Sequence, residues 1–152
     1  MAIENKNSDL VHNYLDDASI APDPVRARGR IIKVTGSVAN AAADSAGSTY
    51  HLADLPSGCI LDPATFFKVD NWGFAQIVIG TKTDTTALVN QTKATEAMVT
   101  PIAAGDANHG KRLWEVLGMA EDPGGNIGIY GHAAAAATAA GTMLIQIAYL
   151  YH

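Results

Sequence analysis

Thr142-Met143-Leu144-Ile145-Gln146-Ile147-Ala148-Tyr149-Leu150-Tyr151 is the stretch on which the fold turns. At the two-residue period of an extended chain, Met143, Ile145, Ile147, Tyr149 and Tyr151 share one face. Leu144, Ala148 and Leu150 share the other, with only Thr142 and Gln146 polar. A strand apolar on both sides is a strand with both sides covered. The pattern predicts a central strand of a sandwich, its inner face in the core and its outer face under either a partner subunit or a loop of its own chain.

Upstream, short apolar runs separated by Gly, Pro, Asn and Asp continue the rhythm of a chain built from strands. Ile32, Val34 and Val38 alternate with Lys33, Thr35 and Ser37 as a half-buried strand. Thr49 to Leu55 runs into the turn Pro56-Ser57-Gly58, and Cys59 to Val69 is a strand that Pro63 either bulges or confines to an edge. Phe74 to Ile79 is rich in β-branched residues and stops at Gly80, and Leu113 to Leu117, Asn126 to Tyr130 and the closing stretch complete roughly seven or eight strands. The alanine-rich runs Ala39 to Ala46 and Ala133 to Ala140 are short and carry no large apolar stripe, so both read as extended or loop-like despite alanine's helix propensity. Thr83 to Gly105 stays open: Ala87, Leu88 and Val89 suit a helical turn, and Glu96 to Ile102 suits a strand.

The 152 residues suit one domain, and a chain of this size buries roughly 70% of its unfolded surface without metals or disulfides. Only 16% of residues are charged, below the roughly 25% usual in soluble domains, so part of the surface is expected to be covered by something else. The net charge of −5, with ten Lys and Arg spread along the chain, argues against a nucleic-acid partner. Cys59 is the single cysteine and forms no intramolecular disulfide. The first ten residues lack the pattern of a signal peptide, and no apolar run reaches the length of a membrane span, so neither secretion by a signal peptide nor a membrane helix is expected.

The residue types that could carry chemistry fall at turns and core positions. His12, His51, His109, His132 and His152 fall in five separate segments without metal-ligand spacing. Glu121-Asp122-Pro123-Gly124-Gly125 reads as a turn, and Gly124-Gly125 precedes a strand, which makes a poor phosphate cradle. Ser57-Gly58-Cys59 has no basic partner nearby in sequence and reads as a turn entering a strand. Trp72, Trp114, Tyr50 and Tyr130 are read as core aromatics, although any of them would also suit stacking against a sugar. No catalytic, cofactor-binding or metal-binding residue is assigned.

Residues 1–28 differ in character from the rest of the chain, being polar, acidic at Asp16 and Asp17, and closed by Pro22-Asp23-Pro24. They read as an extended arm ahead of a β domain at 29–152. Ser8 caps a short helix within it whose Leu10, Val11, Tyr14, Leu15 and Ala18 form an apolar stripe. This helix either packs on its own domain or docks on a neighbouring subunit. Arg26, Arg28 and Arg30 project from one side if the chain is extended, either as a solvated edge or as a contact to an acidic surface. Leu10, Tyr14, Leu15, Arg26, Arg28 and Arg30 are thus the candidate partner contacts.

Three segments resemble the small β-sandwich decoration, or cement, proteins of tailed-bacteriophage heads. They are Leu52 to Leu61 with its Leu55-Pro56-Ser57-Gly58 lead-in, Lys111 to Met119 running on to Asp122-Pro123-Gly124-Gly125-Asn126-Ile127, and the small-residue run Ala137 to Thr142 before a strand ending in Tyr149. The likeness spans about residues 30–150 and leaves out the arm. It implies an all-β, jelly-roll-like antiparallel sandwich on the virion exterior, made in the host cytoplasm, that clamps the major capsid protein lattice. It also implies a homo-oligomer, with a trimer the first choice for local three-fold positions, and no enzyme activity or cofactor. Two rival expectations stand beside it: a glycan-binding or tail-fibre module using Trp72 or Tyr130, and a small enzyme whose site is assembled only in the folded state.

Overall fold

The computed structural model describes residue 21, residues 24–93 and residues 97–151, with only the backbone of Arg26 and Arg28. Leu10, Tyr14 and Leu15, and the expected helix of the arm, lie outside the described residues. The chain is an antiparallel β-sandwich. Its elements are α1 (Pro24–Arg28), β1 (Arg30–Asn40), β2 (Thr49–Pro56), β3 (Ile60–Leu61), β4 (Phe66–Lys68), β5 (Gln76–Gly80), β6 (Val89–Thr92), β7 (Met98–Val99), α2 (Leu113–Val116), β8 (Asn126–His132) and β9 (Gly141–Tyr151). One sheet has the order β1-β9-β4-β7 with β3 also on β9, and the other has the order β2-β8-β5-β6.

β9 is the expected central strand. It pairs with β1 from Arg30↔Tyr151 to Asn40↔Gly141 without a register shift. Its other edge is shared by β3, through Ile60↔Leu150, and β4, through Lys68↔Leu144. The gap between β3 and β4 lies at Pro63, which has no N–H to give the ladder. Side-chain chemistry carries the pairing across it: the Thr65 hydroxyl donates to the Ala148 carbonyl at 2.8 Å and accepts from the Ala148 N–H at 3.0 Å. The pairings are nested, β1 with β9, β2 with β8, β4 with β7 and β5 with β6. Between the sheets, Met143, Ile145, Ile147, Phe67 and Val99 meet Leu55, Ile77, Ile79, Ile127 and Ile129 in one buried cluster.

The outer face of β9 is only partly covered. Ala148 is fully buried and α1, with Val25 buried, packs against this strand, so the chain itself supplies the cover there. Leu144 is 50% exposed at the other end, so the described chain does not itself cover that part of the outer face.

Two segments differ from their expected conformation. Leu113 to Leu117 is helical: the Glu115 carboxylate accepts the Arg112 N–H at 2.8 Å, the Leu117 N–H reaches the Leu113 carbonyl at 3.0 Å, and Gly118 ends the turn at φ 71°. The buried pair Leu113 and Leu117 stands four apart, which is a helical spacing. At the arm's end, Pro24–Arg28 is a helix, with Pro24 at the first position where its missing N–H costs nothing. Arg26 and Arg28 therefore lie on a helical turn, and Arg30 opens β1, so the three do not alternate along one extended edge. In the open segment, 89–92 forms β6 and Met98–Val99 forms β7, whereas both alanine-rich runs continue as loops beyond their flanking strands.

Asn40 ties these loops together. Its side-chain amide donates to the Ala139 carbonyl at 2.8 Å and its carbonyl oxygen accepts the Gly73 N–H at 3.0 Å, so the end of β1 holds two distant segments at once. Asn40 is 6% exposed, and its loss strands the Gly73 donor. Asn40→Ala is expected to cost about 1–3 kcal/mol in urea unfolding, whereas exposed Ser37→Ala stays within about 0.5 kcal/mol.

Candidate functional site

The groups that sequence reading treats as potential chemistry are occupied by folding. Cys59 is fully buried in the turn after β2, its N–H bonded to the Pro56 carbonyl at 3.0 Å, and burial pushes its thiol up to about 12. Ser57 is buried beside it, and the Ser57 hydroxyl and the Gly124 N–H hold the Asp122 carboxyl below the usual carboxylate range. His109 Nδ1 accepts the Gly105 N–H at 2.8 Å in a surface turn. Among the described residues no group of three or more His, Cys, Asp or Glu is brought together.

The aromatics divide. Trp72 is 4% exposed and sits edge-on to Tyr50 with ring centroids 5.0 Å apart, so it belongs to the core and offers no face to a sugar. Tyr50 continues that cluster outward, its hydroxyl donating to the Asp44 carboxylate at 2.5 Å. Burial and this hydrogen bond push the Tyr50 phenol up to about 12, and the same bond, with that from the Ala41 N–H, lowers Asp44.

Tyr130 lies on the outer face of the β2-β8-β5-β6 sheet. His51 stacks on its ring at 4.5 Å and 13°, and the Lys82 ammonium stands 5.1 Å from the ring centroid. The ring leans over Gly128, where a Cβ would come within 2.8 Å of it. Beside this patch a groove of about 690 Å³ opens above Thr49, Val78, Asn90 and His132, with Lys82 and Thr86 in its wall. Gln76 donates its amide to Asn90 Oδ1 at 2.7 Å along its floor, and His132 Nε2 lies 2.9 Å from the Thr81 carbonyl.

A second surface lies where the edges of the two sheets meet. β1 and β2 are both end strands, and a hollow of about 180 Å³ separates Val34 and Val38 on one from Leu52 and Ala53 on the other. Val34 faces this mouth and is 46% exposed, and Ile31, on the outer face of the same strand, is 63% exposed. Arg30 sits on this edge, while the backbone of Arg26 and Arg28 lies in α1. Neither Val34 nor the groove residues stand out as contacts in the sequence, because each surface exists only once the strand order is known. The detectable trace is the uncharged run Val34 to Asn40 in a strand that proves to be an edge.

Compared with protein-family models, curated proteins and solved structures, the chain matches none.

The Cys59 thiol is expected to resist a disulfide reagent at pH 8 until the protein is unfolded, when one thiol reacts; reaction of the native protein would place Cys59 elsewhere. For Tyr50 the raised phenol means that the folded state favours the protonated form. Its contribution to stability is complete below pH 10, the ordinary tyrosine value, and is lost as pH rises towards about 12. Alkaline unfolding should show that loss in the wild type and a flatter profile in Tyr50→Phe.

Proposed function

We propose that the protein is a non-enzymatic structural component of a tailed-bacteriophage virion: a decoration protein that binds the outer surface of the major capsid protein lattice, together with copies of itself, and stabilises it. The observation that carries this reading is the unfinished side of the sandwich, a long edge strand bearing the exposed apolar residues Ile31 and Val34. Such a surface suits association, and a protein repeated over a lattice needs only modest affinity at each contact because the contacts multiply. The nested strand pairing supports the finer jelly-roll reading, since β3 and β4 counted as one interrupted strand leave two layers of four strands. In this reading residues 1–28 tether the domain, with Leu10, Tyr14, Leu15, Arg26, Arg28 and Arg30 as contacts. Nucleic acid, membrane and cofactor play no part.

Cosedimentation with heads assembled without this protein tests the proposal. The full chain should bind saturably, and removal of residues 1–25 should abolish binding while the β domain stays folded. A full chain left in the supernatant contradicts the proposal, and full-strength attachment of the shortened chain removes the tether from it. Replacing Arg26, Arg28 and Arg30 by Ala should weaken attachment mainly at low salt, where exposed charges are least screened.

The groove beside Tyr130 favours a second reading, a glycan-binding module. Its amides, hydroxyls and one ammonium are groups that hydrogen-bond sugar hydroxyls, and a Lys82→Ala change should remove any binding seen on a glycan array. An array without a hit rejects this reading.

A further inference from the structure

We infer that β1 is a self-association edge, pairing antiparallel with β1 of a second copy about a two-fold axis at Gly36. The inference deepens the self-assembly part of the proposed function and rests on that reading for its use, while its geometry stands on the edge strand itself.

Gly36 is the first observation. Most described glycines have an internal reason to be glycine: an added Cβ would lie 2.0 Å from the Ala139 carbonyl oxygen at Gly73 and 2.0 Å from the Asn71 carbonyl oxygen at Gly141, and six others adopt positive φ. At Gly36 an added Cβ meets nothing within 4 Å and φ is not positive. A glycine inside a strand weakens it, and at Gly36 the middle of β1 carries no side chain on either face.

The second observation is the edge. Natural edge strands are guarded by shortness, charge, proline or a bulge. β1 has 11 residues, runs in uninterrupted register with β9, and is uncharged and proline-free from Val34 to Asn40. Among the described residues no strand pairs with its far side. Its two cations, Arg30 and Lys33, stand at one end.

The third is self-complementarity. With the axis at Gly36, Val34 of each copy faces Val38 of the other on the side of the hollow, and Thr35 faces Ser37 on the opposite side. Lys33 meets Ala39, so an antiparallel pair keeps like charges at opposite ends, which a parallel pair would set side by side. Gly36 opposes Gly36 at the axis. Such a contact is isologous and closes at two copies, replacing the expected three-fold arrangement with a two-fold one.

Gly36→Cys tests the register in the purified full chain. Directly opposed residues of an antiparallel pair have Cα atoms about 4.5–5.5 Å apart, within disulfide range. Mild oxidation should give a covalent dimer from Gly36→Cys but not from Lys33→Cys, whose thiols would be offset along the pair, and buried Cys59 should take no part. Sedimentation equilibrium tests the contact without any new cysteine: the wild type should be a concentration-dependent dimer, and Val34→Lys should weaken dimerisation by roughly 100-fold by bringing cations into the pairing. A wild type that stays monomeric, or that forms trimers, overturns the inference, as does equal cross-linking of the two cysteine variants. Neither result bears on attachment to heads, which the cosedimentation reads separately.

Discussion

The molecule depends on the double-sided pairing of β9. Each residue of this strand has a neighbour on β1, and β3 and β4 divide the other edge between them. Such a strand has its backbone polar groups engaged laterally, and its alternate side chains Met143, Ile145 and Ile147 form the floor of the core. Its length sets that of β1, whose far end places Asn40 where it ties Gly73 to Ala139. The Asn40 amide and the Thr138 N–H and hydroxyl, both of which donate to the Gly73 carbonyl, thereby hold these loops at the end of the ladder.

The same constraint explains what can be read from the sequence. Two-residue alternation at 142–151 identifies β9, and Pro63 marks the place where the neighbouring strand breaks. The β-sandwich class follows from such local signals. Leu113 to Leu117 is open to misreading because five residues satisfy both periods, and the Arg112–Glu115 bond that decides for a helix is an interaction across one turn. Trp72 and Tyr130 look alike in sequence, yet one lies beneath Tyr50 and the other on the outer sheet, a difference created by register alone. Leu144 looks covered in the sequence because alternation reports which residues share a face and not what lies above it.

The side chains that suggest chemistry in the sequence are engaged by the fold. The potential reactive groups act within the fold: Cys59 under the β2 turn, Asp44 as acceptor for Tyr50, and His51 as a stacking partner for Tyr130. Among the described residues, a groove on one sheet and the far edge of β1 at the meeting of both stay open. Low charge has a physical place here, since the uncharged part of β1 is suited to backbone pairing rather than to solvent.

Whether a second copy completes the β1 edge is read most directly by amide hydrogen exchange along β1 as a function of protein concentration. In an isolated chain the β1 amides that face away from β9 have no ladder partner among the described residues and exchange quickly. These alternate amides from Lys33 to Ala39 should become protected as concentration rises, while surface-loop amides such as those near Asn108 do not change. Fast exchange at every concentration would contradict pairing at this edge.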